Sequence, residues 1–168
     1  MASGKTTLGR ALAATTGLRF VDLDEYIEAE AGKTITQIFA EDGESHFRHL
    51  ESCALKQLTA AGDDGLIVAC GGGTPCFGDN MDVMNMSGTT VWLTTSPEVI
   101  IRRLVAERAS RPLVARLSEG GELERYVIDN LARRAPHYSR SVGRFDSSKL
   151  ECEEEINESV RLFINEFL

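Results

Sequence analysis

The chain has 168 residues, 42% of them hydrophobic and 26% charged, which is the size and composition of one globular domain with a sizeable core. Its formal net charge of -8 at pH 7 argues against a nucleic-acid or anionic-membrane surface, since such a surface needs a basic face. The sequence has neither an apolar run of about 18 residues, as a membrane span requires, nor cysteines at metal-finger spacing, so we expect a cytoplasmic protein with reduced thiols.

The chain begins with a phosphate-binding pattern, Gly4-Lys5-Thr6-Thr7, followed at once by an amphipathic run that predicts a helix over 5–16. A glycine before a lysine and a hydroxyl residue at a helix start leaves backbone N–H groups facing one point, which is how a phosphate is held. In this pattern Lys5 binds the β and γ phosphates of a nucleotide and Thr6 ligates Mg²⁺. Only the second half of the full pattern, G-x-x-x-x-G-K-[ST], is present, so an ordinary helix N-terminus remains an alternative for these four residues taken alone.

The first predicted strand, over 18–22, delivers two carboxylates, Asp22 and Asp24, at its carboxyl end. In open parallel sheets this edge is where ligands lie. An extended segment would place the two carboxylates about 7 Å apart on the same side. Phosphoryl transfer needs one acid near Mg²⁺ and another to orient the acceptor hydroxyl, which these two could supply. A strand end followed by an N-capping aspartate is the alternative interpretation.

The rest of the chain alternates between helical and strand patterns. Apolar spacing, capping residues and glycine breaks predict helices over 25–31, 34–42, 43–61, 79–86, 96–108, 122–139 and 153–167. Apolar runs predict strands over 66–70, 89–93 and 143–146. Strands that alternate with helices indicate an α/β fold with a parallel sheet.

Three successive glycines, Gly71, Gly72 and Gly73, follow the buried strand over 66–70. An ordinary turn needs one glycine or two. Three residues without Cβ let backbone N–H groups approach a ligand closely. We therefore expect these glycines to line a binding site.

Several arginines lie where an anionic substrate could use them. Arg48 lies on the helix after residue 43, Arg111 in a loop over 109–121, and Arg133 and Arg134 near the end of a later helix. Guanidinium groups suit carboxylate and phosphate. Each arginine alone is more typical of a solvated surface, but their joint occurrence in an acidic chain with a phosphate loop indicates an anionic substrate.

Six stretches of the chain occur in a recognisable order and spacing. They are G-K-T-T-L-G-R-A-L-A from Gly4, F-V-D-L-D from Phe20, I-F-A-E-D-G-E-S-H-F-R-H-L-E from Ile38, G-G-G from Gly71, R-P-L from Arg111 and R-R-A-P-H-Y from Arg133. Together they resemble shikimate kinase, the family of small P-loop kinases that transfers the γ-phosphate of ATP to the 3-hydroxyl of shikimate in aromatic amino-acid biosynthesis. The resemblance implies a three-layer P-loop kinase fold, ATP and Mg²⁺ as cofactors, shikimate as substrate and a monomer.

The resemblance also implies a binding role for each matching residue. Nucleotide binding falls to Ser3, Gly4, Lys5, Thr6, Thr7, Arg103 and Arg111. Shikimate binding falls to Asp24, Arg48, Gly71, Gly72, Gly73 and Arg134. Metal binding falls to Thr6 and, through water, to Asp22.

Catalytic roles follow from the same resemblance. Asp24 would hold the acceptor hydroxyl and act as its base, while Lys5 would bind the phosphates. Arg111 would neutralise the transferring phosphoryl group from a lid over 109–121. Glu51 would hold Arg48 against the shikimate carboxylate. The substrate-binding region would span about 24–62 within a single P-loop kinase domain over 1–168.

The start of the chain departs from the family pattern, in which an apolar first strand and a first loop glycine precede the phosphate loop. That strand lies in the middle of the sheet, so we expect a fold that lacks its first central strand, with neighbouring strands short of backbone partners. Two alternatives stay open. One is a gluconate kinase of similar fold, which resembles D-x-D followed by a histidine-proline segment where this chain has Asp24-Glu25-Tyr26-Ile27. The other is a binding module that keeps the fold without turnover.

Overall fold

The structure, a computed structural model, describes residues 1–60, 65–106 and 121–168. Its helices are α1 (Lys5–Thr16), α2 (Leu23–Ala31), α3 (Ile35–Glu41), α4 (Gly43–Ala60), α5 (Asn80–Ser87), α6 (Pro97–Ala106), α7 (Glu122–Tyr138) and α8 (Glu153–Phe167). Its strands are β1 (Arg19–Asp22), β2 (Leu66–Ala69), β3 (Val91–Thr94) and β4 (Gly143–Asp146). None of the helices in this part of the chain is long and apolar enough to cross a membrane. Some predicted features lie outside the described residues. They are Arg111, residues 109–120 of the predicted lid, the predicted turn residues 62–64 and the predicted helix end at 108.

The four described strands form two parallel pairs. β1 pairs with β2, with Phe20 opposite Ile67, and β3 pairs with β4, with Trp92 opposite Arg144. A cavity of about 900 Å³ is lined by residues of both β2 and β3. The predicted parallel α/β fold is therefore confirmed. The sheet is interrupted between β2 and β3, where the sequence led us to expect strand edges without backbone partners.

Two apolar clusters hold the strand pairs to their helices. The first packs α2, α3 and α4 against β1 and β2 and includes Leu23 and Ile38. The second packs α1 and α8 against β3 and β4 and includes Leu8 and Phe145, and Ile67 of β2 also contacts it. Fully burying one such side chain stabilises a fold by about 1.5 to 3 kcal/mol. The second cluster therefore joins β2 to β3 and β4 across the interruption.

The junction between β1 and α2 differs from the prediction. α2 begins directly after β1 because the Asp22 backbone is extended (φ -86°, ψ 121°) and its carboxylate accepts a hydrogen bond from the Asp24 N–H at 3.1 Å. The prediction that Asp22 and Asp24 share an extended segment is therefore wrong. Asp22 caps α2, and Asp24 lies in the first turn of that helix.

Candidate active site

The phosphate loop is the open N-terminus of α1. Gly4 precedes the helix in the left-handed conformation, with φ 83° and ψ 13°, and none of the described side chains caps the helix there. This conformation favours glycine, and a Cβ on Gly4 would in addition push aside the end of the Leu150 side chain. The first N–H groups of α1 are therefore available to an anion.

Asp22 links this helix end to the end of β1. Its side chain is only 6% exposed, and Oδ2 accepts a hydrogen bond from the Thr6 hydroxyl at 2.7 Å. The Lys5 ammonium lies 3.4 Å from the same oxygen. A threonine hydroxyl and a carboxylate beside a phosphate site are oxygen donors of the kind that Mg²⁺ prefers. The donor set of Thr6 and Asp22 therefore fits this metal.

Asp24 is half-buried in the first turn of α2, two residues after the Asp22 cap. Burial raises the pKa of Asp24 above its ordinary value, and the nearby Lys5 ammonium opposes this shift. The Asp22 and Glu51 carboxylates raise the pKa of Asp24 further. A carboxylate whose pKa is raised towards the working pH is better suited to accept a proton from a hydroxyl.

Gly71 to Gly73, here called the glycine turn, follow β2 and face the carboxylates. A Cβ on Gly71 would lie 3.2 Å from Asp24 Oδ1 and 2.9 Å from Glu51 Oε1. These separations are tighter than ordinary van der Waals contact, so the absence of a side chain lets both acids approach the backbone.

The other two glycines make room for arginines. A Cβ on Gly72 would lie 2.8 Å from Arg134 Nη1, and one on Gly73 would lie 2.5 Å from Arg48 Nη1. Asp24, Arg134 and Arg48, which are distant in sequence, therefore all lie against the glycine turn. The sequence predicted close approach of a ligand here, and the described geometry adds close approach of side chains as a second reason for three glycines.

Arg48 is fixed by carboxylates on its own helix. Its Nη1 donates to Glu51 Oε2 at 2.5 Å, and its Nη2 donates to Glu44 Oε1 at 3.1 Å. Glu51 is buried, with 1% exposed, whereas Glu44 is exposed, with 67% of its side chain accessible. Glu51 therefore lies where it can orient Arg48 towards the glycine turn, and the exposed Glu44 pair contributes little.

The two arginines of α7 differ in their surroundings. Arg134 lies against Gly72, whereas Arg133 is exposed and donates to Asn130 Oδ1 at 2.7 Å. The Tyr138 hydroxyl, one turn beyond Arg134, donates to the Gly72 carbonyl at 2.5 Å. α7 therefore presents Arg134 and Tyr138 to the glycine turn and Arg133 to solvent.

Arg103, expected beside the adenine, bridges two loops. Its guanidinium donates to the carbonyls of Ser147 at 3.1 Å, Ser148 at 3.0 Å and Ala2 at 3.3 Å. Its Nε donates to Glu151 at 3.0 Å. Arg103 therefore ties the start of the phosphate loop to the segment after β4.

Two polar residues of the site were not predicted. The Thr74 hydroxyl donates to Glu51 Oε1 at 2.5 Å, and the Tyr138 hydroxyl donates to Gly72 as described above. The sequence marks these two residues only by their position next to recognised motifs. Thr74 follows the three glycines, and Tyr138 ends the R-R-A-P-H-Y stretch. Adjacency alone does not tell which partner a side chain reaches.

Phosphoryl transfer needs groups that bind the nucleotide phosphates at one end of a site and a base beside the acceptor hydroxyl at the other. Here the phosphate loop and Asp24 lie on the two sides of Asp22, and Arg48 and Arg134 lie beyond Asp24. Guanidinium groups at the acceptor end suit an anionic molecule. The fold and the site together define a P-loop kinase of small anionic acceptors.

Comparison with known proteins narrows this class to one family. The family model of shikimate kinase matches residues 1–165, and the chain belongs to this family. The shikimate kinase of Parabacteroides distasonis is 41% identical over 158 residues, which cover 94% of this chain and 90% of that protein. The shikimate kinase of Phocaeicola vulgatus is 43% identical over 160 residues, with 95% and 90% covered.

Solved structures agree with this assignment. The crystal structure of shikimate kinase from Bacteroides thetaiotaomicron has a TM-score of 0.91 and 40% identity, covering 98% of this chain and 93% of that one. Shikimate kinase from Acinetobacter baumannii in complex with shikimate has a TM-score of 0.79 and 30% identity, covering 98% and 89%. The P-loop kinase fold predicted from the sequence is confirmed by these similarities.

Proposed function

We propose that this chain transfers the γ-phosphate of ATP to the 3-hydroxyl of shikimate, which forms shikimate 3-phosphate and ADP on the route to chorismate and the aromatic amino acids. The observation that carries the proposal is the meeting of Asp24, Arg48 and Arg134 on the glycine turn. A base beside two guanidinium groups suits an acceptor that has both a hydroxyl and a carboxylate. The shikimate complex of the Acinetobacter baumannii relative supports the same acceptor.

On the acceptor side, Arg48 and Arg134 bind the shikimate carboxylate and so fix the ring. The Asp24 carboxylate accepts the proton of the 3-hydroxyl as that oxygen attacks the γ-phosphorus, and the bond to ADP breaks. The raised pKa of Asp24 supports this role, because a stronger base takes the proton more readily. Glu51 keeps Arg48 in place through its hydrogen bond.

On the donor side, the loop from Ser3 to Thr7 binds the phosphates through the N–H groups of α1 and through Lys5. Thr6 and Asp22 are the residues that would hold Mg²⁺. When bound, this ion neutralises the phosphate oxygens and polarises the transferring group. The contact of Lys5 and Thr6 with Asp22 supports a shared site for ion and phosphates.

Arg103 contributes to the nucleotide site, and its bond to Ala2 supports a role in holding the phosphate loop. Arg111, which lies outside the described residues, is included in the proposal as the group that neutralises the transferring phosphoryl group. The chain acts as one domain over 1–168, with a substrate-binding region over about 24–62 to which the glycine turn and Arg134 add. It is a cytoplasmic monomer with a small-molecule substrate and no nucleic-acid or membrane partner.

Arg48→Lys and Arg134→Lys should each raise KM for shikimate by about 10- to 150-fold and leave KM for ATP nearly unchanged. Lysine keeps the charge but loses the planar fork that binds a carboxylate with two parallel hydrogen bonds. One hydrogen bond to a charged group is worth about 1.5 to 3 kcal/mol, which corresponds to this range. Steady-state kinetics with each substrate varied in turn measures both constants.

Arg133→Lys is the matched control, because Arg133 lies next to Arg134 in sequence but donates to Asn130. It should leave both KM values at the level of the parent chain. Equal increases in the two KM values for Arg48→Lys or Arg134→Lys would indicate general damage to the fold and contradict the assignment.

The function itself is tested by coupled ADP release with shikimate, gluconate and nucleoside monophosphates as acceptors. We expect turnover with shikimate alone, since the chain belongs to the shikimate kinase family and has Asp24-Glu25-Tyr26-Ile27 where gluconate kinases have a histidine-proline segment. Turnover with gluconate would favour the related sugar-acid kinase. ATP binding without turnover of any acceptor would favour a binding module that keeps the fold.

A further inference from the structure

Thr74 lies directly after the glycine turn and is fully buried, with 0% of its side chain exposed. Its hydroxyl donates to Glu51 Oε1 at 2.5 Å, and the other oxygen of Glu51 accepts from Arg48 Nη1 at 2.5 Å. Glu51 is itself 1% exposed. A hydroxyl, a carboxylate and a guanidinium group therefore form one continuous chain that ends at the acceptor site.

The Glu51 carboxylate depends on both of its partners. Burying a carboxylate costs free energy unless its oxygens accept hydrogen bonds. Within the part of the chain that the structure describes, Thr74 is the side-chain donor to Oε1 and Arg48 is the donor to Oε2. Without the Thr74 hydroxyl, Oε1 loses this donor, and a carboxylate that turns towards another donor would carry the Arg48 guanidinium with it.

Thr74 is in turn held by its surroundings. Its N–H donates to the Gly71 carbonyl at 3.1 Å, and its carbonyl accepts from Asn80 Nδ2 at 3.0 Å. Asn80 is fully buried at the start of α5. The position of the Thr74 hydroxyl is therefore set by the glycine turn on one side and by α5 on the other. Glu51 thus accepts a hydrogen bond from a donor that is held in place.

We propose that Thr74 is a positioning residue for acceptor binding. Its hydroxyl fixes Glu51, and Glu51 aims the Arg48 guanidinium past Gly73 at the carboxylate of the acceptor. The proposal rests on the function proposed above and adds to it a residue that no part of the resemblance assigned. Thr74 touches neither substrate and acts only through Glu51 and Arg48.

Thr74→Val removes the hydroxyl and keeps the shape of the side chain. We expect KM for shikimate to rise about tenfold, as for the loss of one hydrogen bond to a charged group, while KM for ATP and kcat change little. Thr74→Ser restores the hydroxyl and should return KM for shikimate to within about twofold of the parent. A purely structural role would not produce this separation between the two substrates.

Thr90→Val is the matched control for the loss of a buried hydroxyl. Thr90 is 9% exposed, and its hydroxyl donates to Asn85 Oδ1 at 2.6 Å and accepts from the Val142 N–H at 3.0 Å. It is bonded to none of the arginines of the acceptor site. We expect its thermal midpoint to fall as that of Thr74→Val does, with KM for shikimate unchanged.

A second experiment places Thr74→Val in the Arg48→Lys background. If Thr74 acts through Arg48, the tenfold effect on KM should shrink to less than about twofold there, because coupled residues are not additive. The proposal is overturned by a full tenfold effect in that background, by equal increases in both KM values, or by failure of Thr74→Ser to restore KM.

Calorimetric binding of shikimate separates this proposal from the function on which it rests. A parent chain that binds no shikimate overturns both. A parent chain that binds shikimate while Thr74→Val binds it equally well overturns the Thr74 proposal alone. The expected result is tight binding by the parent and by Thr74→Ser, with about tenfold weaker binding by Thr74→Val.

Discussion

Asp24→Asn is expected to lower kcat by about 10²- to 10⁴-fold and to leave ATP binding nearly unchanged. Asparagine keeps the size of the side chain but cannot accept the proton of the acceptor hydroxyl at neutral pH. The phosphate loop keeps its own pairing, because Thr6 donates a hydrogen bond to Asp22 and Lys5 forms an ion pair with it. Steady-state turnover and calorimetric binding of an unreactive ATP analogue measure the two quantities.

The same substitution should not destabilise the fold. Because burial raises the pKa of Asp24, the folded chain holds this proton more tightly than the unfolded chain does. The resulting stabilisation is complete below the unfolded pKa and is lost as pH rises through the higher, folded pKa. At pH 7 the ionised Asp24 therefore costs stability, and Asp24→Asn should unfold at the parent's midpoint or above it.

Glu25→Gln is the control for Asp24→Asn. Glu25 is the next residue, 61% exposed, and it pairs with Arg10 at the surface. Its substitution removes the same charge one position away and should leave kcat within about twofold of the parent, since exposed ion pairs contribute little. Parent-like turnover by Asp24→Asn would remove Asp24 from the mechanism.

An apolar segment of five residues joined ahead of Met1 is expected to raise the free energy of unfolding by several kcal/mol. The cavity of about 900 Å³ lies between β2 and β3, and Met1 is among its lining residues. Strand edges that face a cavity leave N–H and C=O groups short of partners, which an added parallel strand would supply. Each fully buried valine or leucine contributes about 1.5 to 3 kcal/mol, against a typical total stability of roughly 5 to 15 kcal/mol.

Urea denaturation measures this effect, with a glycine-serine segment of the same length as the control. The control adds chain without apolar burial and should leave the midpoint nearly unchanged. The apolar segment should also tighten ATP binding, because a strand that leads into Gly4 anchors the phosphate loop. Equal midpoints for the apolar and the glycine-serine segments would contradict the assignment of the cavity as a strand site.

Much of the fold follows from local chemistry that the sequence displays. Gly17 ends α1 in the left-handed conformation, with φ 76°, as a glycine after an amphipathic run predicts. Thr34 and Gln37 form the predicted capping box at the start of α3. These features depend on neighbours within one turn, so the sequence alone was sufficient for them.

The sequence predicted the separate parts of the candidate site, but it did not predict which of these residues contact one another. The glycine turn, Arg48 and Arg134 were each singled out, but only the fold brings them within contact of one another. The place of Asp24 on a helix was missed because Asp22 can either end a strand or cap a helix. Thr74 was missed because its partner, Glu51, lies on another element.

The most direct test of the account is to identify the product by phosphorus NMR after incubation with ATP, Mg²⁺ and shikimate. The measurement is made on the chain and on the variant with the apolar segment ahead of Met1. We expect one phosphate ester at the 3-hydroxyl of shikimate, formed in equal amount to ADP, and formed about 10²- to 10⁴-fold more slowly by Asp24→Asn. Phosphate on another hydroxyl of shikimate would contradict this assignment. So would ADP release without phosphorylated shikimate by both the chain and the variant with the apolar segment.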